Sequence, residues 1–309
     1  MSEAQKPLTV PKEFLAPPGD FNPTLLMFLA SVVLVVLTTL GYWCWEWPHW
    51  CCFSINTIAL HMVGTVIHDA SHNAAHRDKV MNAILGHGSA LMLGFVFPVF
   101  TRVHMQHHAH VNDPENDPDH FVSTGGPLWM IAARFFYHEV FFFKRRLWRK
   151  YELLEWFLSR LFLGTIVYFA VQNGILGYIL NFWFLPAMVV GLALGLFFDY
   201  LPHRPFQERD RWKNARVYPS PILNLLILGQ NYHLIHHLWP SIPWYNYQPA
   251  YYATQQLLDE KGCYQSLGLL KGKDFLNFVY DIFLGIRFHR KKIQETTDTV
   301  SKKELVGNR

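Results

Sequence analysis

The sequence predicts an all-α integral membrane protein: about four transmembrane helices in two hairpins, with a cytosolic helical cap holding a histidine-rich metal site. Three observations carry this. Apolar residues fill 51% of the 309 positions and charged residues only 16%, below the quarter or so usual for soluble chains. Apolar runs recur near the length of about 20 residues that a bilayer core demands. Eight histidines fall in three clusters beside the ends of those runs: His68-Asp-Ala-Ser-His72, His104-Met-Gln-His107-His108 and His233-Leu-Ile-His236-His237.

Residues 1–23 read as an extended, mobile arm, with Pro7, Pro11, Pro17, Pro18 and Pro23 among mixed charges. They lack the charged, apolar, small-residue order of a cleaved leader. The membrane domain runs over 24–287. Its first span covers Thr24–Trp43, and a loop from Cys44 to Trp50 carries three tryptophans and no Lys or Arg. A second apolar run from Cys51 to Ile67 closes a hairpin at the first histidine cluster. Ala83–Phe100 is apolar but broken by Gly86, Gly88, Gly94 and Pro98, which suggests a re-entrant or interfacial helix pair. A polar loop from His110 to Pro127 follows. Aromatic Phe135–Phe143 and basic Lys144–Lys150 then suggest an amphipathic helix on the membrane surface. The second hairpin pairs Leu158–Leu180 with Phe182–Leu201. The cap carries the third cluster, and 288–309 form a charged tail.

Two hairpins return the chain to one side each time, so all three clusters share a face. Lys79, Arg102, Lys144–Lys150, Arg204, Arg209 and the Arg287–Lys292 segment lie on that same face. The positive-inside rule makes it cytoplasmic. The net charge of +4 is too modest to imply nucleic acid. Of the four cysteines, Cys44, Cys51, Cys52 and Cys263, none forms a CxxC pair, so small apolar packing is their expected role.

Chance does not explain the clusters. With 17 histidines in the chain, a random HxxHH is expected about 0.05 times. It occurs twice. Positions i, i+3 and i+4 share one helix face, so each cluster can aim its imidazoles at one point. Neutral imidazole is the commonest protein ligand for transition metals. His68, His72, His104, His107, His108, His233, His236 and His237 would supply two six-coordinate metals sharing solvent ligands. One tetrahedral zinc would leave half of them idle. His203, at the inner end of the last span, is a ninth candidate. Iron suits apolar substrates, which offer C–H bonds to oxidise and little to hydrolyse. His76, Asp69, His110, Asp199 and Asn231 are candidates to support the ligands, as are His120, His138 and the Asp113, Asp117, Asp119 group. No Gly-rich nucleotide loop appears, so electrons would come from a separate donor protein.

The series HxxxH, HxxHH, HxxHH resembles the membrane fatty-acid desaturase and hydroxylase superfamily. Within it the chain looks most like the cyanobacterial-type β-carotene hydroxylases, relatives of the bacterial-type carotenoid ketolases. The residues carrying this are His68-Asp-Ala-Ser-His-Asn-Ala-Ala-His76, the stretch from His104 to His120, Leu201-Pro-His-Arg-Pro205 and Asn231-Tyr-His-Leu-Ile-His-His-Leu-Trp-Pro240. The resemblance implies two iron ions (with zinc a possible substitute in purified samples), dioxygen as co-substrate and a ferredoxin-type reductant. It further implies hydroxylation of β-ionone rings at carbon 3, giving β-cryptoxanthin and zeaxanthin, in a thylakoid or plasma membrane. The carotenoid would come from the lipid phase, along a groove lined by such residues as Trp129, Phe135, Phe136 and Trp239. Three rivals remain: a carotenoid ketolase or acyl-lipid desaturase on the same metal site, a membrane metal transporter, and a zinc-stabilised structural protein.

Overall fold

The computed structural model describes residues 9–269 and 272–286. The tail expected over 288–309, including His289, lies outside the described residues, as does the Arg287–Lys292 basic segment. Among the described residues all regular structure is helical, apart from one isolated parallel bridge between Arg216 and Tyr264.

Helix α1 (Pro23–Trp45) starts where the Asn22 side chain accepts from the backbone N–H groups of Thr24 and Leu25, with Pro23 at the first helical position. Its buried face is Thr24, Met27, Ser31, Thr38 and Gly41. That stripe of small and hydroxylic residues lets α2 (His49–Ser71) approach closely, as is common for helices in lipid. The opposite face exposes leucines and valines. Both helices are long and apolar enough to cross a membrane. Next come α3 (Lys79–Leu93) and α4 (Phe97–His110), joined at Gly94 (φ 76°) and bent by 99°. The broken pair expected over Ala83–Phe100 is therefore present, and the bend aims α4 back across the end of α2.

Short helices α5 (Pro118–Thr124), α6 (Ile131–Arg134) and α7 (Phe136–Lys144) carry the chain over the second histidine cluster. The stretch expected as one amphipathic helix divides: its aromatic part is α7, the chain turns at Arg145-Arg146 (φ 53° at Arg146), and Lys150 begins the next helix. Helix α8 (Lys150–Gln172) buries only Glu152 and Ala170. It and α9 (Leu176–His203) complete a second hairpin of apolar length. Their turn comes at Asn173-Gly174, some residues ahead of the expected position, because Gly174 adopts the left-handed conformation (φ 67°) that ends a helix cheaply.

Two π-helical turns interrupt α9, at Leu180–Phe184 and Gly195–Tyr200, each just ahead of a proline, Pro186 and Pro202. Proline has no N–H and crowds the carbonyl four residues back, so the helix widens there. The carbonyl thus orphaned by Pro186 is that of Phe182. It accepts a hydrogen bond from Asn56 Nδ2 on α2 (2.9 Å), and Asn56 Oδ1 accepts from Thr38 on α1 (2.6 Å). One amide side chain so ties three apolar helices together.

The cap is built from α10 (Pro221–Leu226), α11 (His233–Leu238), α12 (Tyr247–Glu260) and α13 (Lys273–Phe283). Its core holds Val217, Tyr232, Leu234, Ile235, Ile242, Tyr247 and Leu258. Val10 packs into the same core, so the described part of the N-terminal arm is docked rather than free. The four cysteines form no disulfide; Cys52 is buried and Cys44 exposed.

Candidate metal centre

Four helix ends converge where α2, α4, α9 and α11 meet, and each delivers histidines. α2 ends in His68, with His72 as its C-cap. α4 presents His104, His107 and His108 from one face. α9 ends at His203, and α11 supplies His233, His236 and His237. The structure brings all nine together, around two foci. At the first, Nε2 atoms run in close sequence: His72 to His104 at 2.9 Å, His104 to His108 at 3.2 Å, His108 to His236 at 2.9 Å and His236 to His68 at 3.0 Å. At the second, His107 lies 3.3 Å from His237, which lies 3.0 Å from His233, and His203 joins the same group.

These contacts fit metal coordination better than hydrogen bonding. A neutral imidazole has one N–H. His203 spends it at Nδ1 on the Asn214 carbonyl (2.8 Å), so its Nε2 holds a lone pair that points inward. His107 Nδ1 faces the acceptor-only carboxylate of Asp117 (2.9 Å), which would leave its Nε2 for a bound metal. His203 Nε2 is buried with no hydrogen-bond partner, a costly state unless something else satisfies it. Metal–imidazole bonds of about 2.0–2.1 Å at right angles put neighbouring nitrogens about 3.0 Å apart, close to the spacings seen here. Burial also pushes the basicity of His233, His236 and His237 well below the ordinary histidine value. Each stays neutral at pH 7, as a ligand must.

The outer nitrogens are anchored by groups that orient the rings. Besides Asp117 and Asn214, Gln230 Oε1 holds His233 Nδ1 (3.1 Å) and the Tyr247 hydroxyl meets His236 Nδ1 (3.0 Å). Asp119 lies 3.5 Å from His107 Nδ1 and accepts from His138 Nε2 (2.8 Å). Asp69 sits 3.9 Å from His68 Nδ1, and its Oδ2 accepts from Thr24 Oγ1 (3.1 Å) and the Trp244 N–H (3.3 Å). Asp199, one turn before His203, lines the cavity beside the foci, and its Oδ2 is buried without a partner.

Other expected residues lie elsewhere. His76 follows the end of α2, where the chain turns away at Asn73 (φ 57°). Its Nε2 meets the Asp20 carbonyl, and its Nδ1 accepts from the Asp78 N–H. His110 is exposed at the last position of α4, where the chain leaves the helix. Asn231 bonds the Tyr218 and Ser220 carbonyls within the cap. Asp113 caps its own loop and pairs with Arg209 (3.0 Å). His120 faces Thr124 and Phe206. Of the expected groove residues, Phe135 lines the metal-side cavity and Phe136 an outer one. Trp129 is exposed on a 3₁₀ turn, and Trp239 packs into the cap core near Trp212. Gln230, Tyr247 and the Asn214 carbonyl were not anticipated. Only Gln230 carried a signal, three residues ahead of His233.

Among the described residues, helices long and apolar enough to cross a membrane and nine converging imidazoles define the class: a helical protein with paired histidine clusters that could hold metal. Comparison gives the family: residues 45–267 match the fatty acid desaturase family, and the chain belongs to it. The chain is 25% identical to the sn-1 oleoyl-lipid 12-desaturase of Anabaena variabilis, over 73% of its own length and 75% of that protein. It is 31% identical to a beta-carotene ketolase of Paracoccus sp. (strain N81106 / MBIC 01143), over 58% and 69% respectively. It is 27% identical to the dihydrorhizobitoxine desaturase of Bradyrhizobium elkanii, over 70% of each. Such relatives make the family one of oxidoreductases.

Proposed function

We propose that this protein is a membrane di-iron oxygenase that hydroxylates the β-ionone rings of β-carotene at carbon 3, giving β-cryptoxanthin and then zeaxanthin. The observation that carries the reading is the cavity against the two foci. Its wall is apolar apart from the histidines and Asp119, Asp199 and His138, with Gly64, Ile67, Phe100, Val190, Leu194 and Phe198 among its lining. A site so lined suits a hydrocarbon and offers nothing to hold a headgroup. The similarity to carotenoid ketolases supports a ring substrate.

The nine histidines would hold the irons, five at one focus and four at the other. When bound, the iron pair would supply activation of dioxygen for attack on an unactivated C–H bond. The overall change balances as substrate C–H plus dioxygen, two electrons and two protons, giving alcohol plus water. The chain contributes position: the anchored imidazoles fix where oxidation occurs, and the cavity walls decide which hydrogen lies there. The apolar wall also excludes water, which limits side reactions. Two electrons per turnover require a donor, for which we propose a ferredoxin-type protein approaching the cytoplasmic face beside Lys144–Lys150. The apolar hairpins would sit in a thylakoid or plasma membrane.

The lipid 12-desaturase relative favours a second reading, acyl-lipid desaturation on the same centre. Pigment chromatography decides between them. A bacterial host making β-carotene receives this chain and a ferredoxin system. New peaks with the masses of β-cryptoxanthin and zeaxanthin support the hydroxylase. Ketone products such as echinenone overturn the reaction while keeping the oxidase. Unchanged β-carotene, with protein and iron present, favours the acyl-lipid reading.

A further inference from the structure

The metal-side cavity does not end at the metals' own wall. It shares Leu93, Phe95, Phe135, Ala187 and Gly191 with a second cavity that lies between α7, α8 and α9. The inner cavity measures about 70 Å³ and the outer about 240 Å³. The outer one has Arg160, Leu163, Phe184 and Met188 in its wall. Exposed Phe136 and Phe184 stand at its edge, on helices whose outer surfaces are apolar. Its mouth therefore opens sideways, towards the hydrocarbon belt.

Volume makes the shared wall consequential. An engineered cavity of about 150 Å³ takes up a benzene molecule. The inner cavity is half that, too small for a cyclohexene ring bearing methyl groups. A ring can reach the foci only if the wall yields. Gly191 and Ala187 are already minimal, and a methyl added at Gly191 would lie 3.2 Å from Ala132 Cβ. Phe95 and Phe135 are the two bulky side chains of the shared wall, and each sits at a break in the chain, Phe95 between α3 and α4 and Phe135 between α6 and α7. The Phe135 ring makes edge contacts with Phe95 (6.4 Å) and His138 (5.3 Å) and packs at the margin of the Val122, Leu128 and Ile131 cluster. The surrounding frame is clamped. Glu139, one turn beyond, binds Arg160 and accepts from Trp156 Nε1 (3.1 Å), and Arg160 also donates to the Gly94 carbonyl (2.9 Å).

We propose that Phe135 is a gate. Its ring closes the neck between a membrane-facing vestibule and the metal chamber, and it swings aside to admit the ring end of a hydrocarbon arriving from the lipid. This rests on the reading above that the substrate is a long apolar polyene. The vestibule then holds the polyene stem while the ring occupies the chamber.

The test uses the full chain in lipid nanodiscs with no reductant, so that binding occurs without turnover. Stopped-flow absorbance follows β-carotene entering the protein, for wild type, Phe135→Trp and Phe135→Ala. Expected are an association rate at least tenfold slower for the tryptophan variant and severalfold faster for the alanine variant. Metal content and melting temperature should match wild type in both. Equal association rates in all three overturn the gate, as does failure of wild type to bind β-carotene. Product analysis with the donor added is read separately. Binding with gated kinetics but no hydroxylated product would overturn the hydroxylase reading and leave the gate standing.

Discussion

The two foci of the metal centre are built from the same side chain and differ in what stands behind it. The first gathers five imidazoles, His68, His72, His104, His108 and His236, with one carboxylate, Asp69, at the greater distance of 3.9 Å. The second gathers four, His107, His203, His233 and His237, with Asp117 bonded to a ligand, Asp119 close by and Asp199 one turn from His203. A divalent ion in a buried site needs countercharge, since neutral rings lower its energy only through their lone pairs. At the second focus Asp117 and Asp119 stand against His107 to supply it. At the first, Asp69 stands farther from its imidazole. The comparison teaches that the focus with more ligands need not be the one that holds its metal more tightly.

The largest expected effect comes from removing a ligand. His236→Ala should empty the first focus and His107→Ala the second, each abolishing product. Metal analysis by mass spectrometry should find about one ion per chain in either variant, and retention of two would contradict the assignment. Acidification acts on both foci together. His233, His236 and His237 have lowered folded-state values, so the unfolded chain binds more protons below the ordinary value near 6.5. The stability they contribute is complete above that value and is lost as pH falls beneath it, by up to about 1.4 kcal/mol per pH unit for each histidine. Melting temperature should drop steeply as pH falls from 6.5 to 5. A flat profile throughout would show that these rings are not held neutral.

Asp117→Asn should have a smaller and one-sided effect. It keeps an acceptor for His107 Nδ1 and removes the charge. Metal affinity at the second focus should fall about 10- to 100-fold. A chelator titration should then strip that focus first, whereas in wild type it strips the first focus sooner. Identical stripping curves would dissolve the distinction between the foci. The smallest effect is expected for Tyr247→Phe, which deletes the hydroxyl at His236 Nδ1 and little else. One such hydrogen bond is worth about 1 kcal/mol, or roughly fivefold in affinity, measurable as a shift in the iron-binding isotherm of the first focus alone.

The convergence of the histidines was largely legible in the sequence because helical spacing is a local rule. His104, His107 and His108 had to share a face wherever the helix lay. His203 was legible by its place at the end of a span. The supporting groups were legible only where they hung on the same local rule. Asp117 sits on the loop directly after the second cluster and does bond His107. His110 and His76 failed because local spacing does not mark where a helix ends: one is the exposed last residue of α4, and the other lies past the end of α2. Tyr247 reaches His236 only through the packing of α12 on α11, and Asn214 contributes a backbone carbonyl that no side-chain pattern marks. The hairpins were legible from hydropathy, while the turn between α8 and α9 was misplaced because both flanks are equally apolar. Gly174 decided it.

The contact between His68 and His236 joins residues 168 positions apart. At ribosomal speeds of about 5–20 residues per second, those positions emerge roughly ten to thirty seconds apart. During that interval His68, His72, His104 and His108 can gather without His236, while the second focus has only His107 and His203 from outside the cap. A metal ion meeting the chain then would find four imidazoles at one focus and two at the other. The second focus therefore depends on the docking of the cap far more than the first.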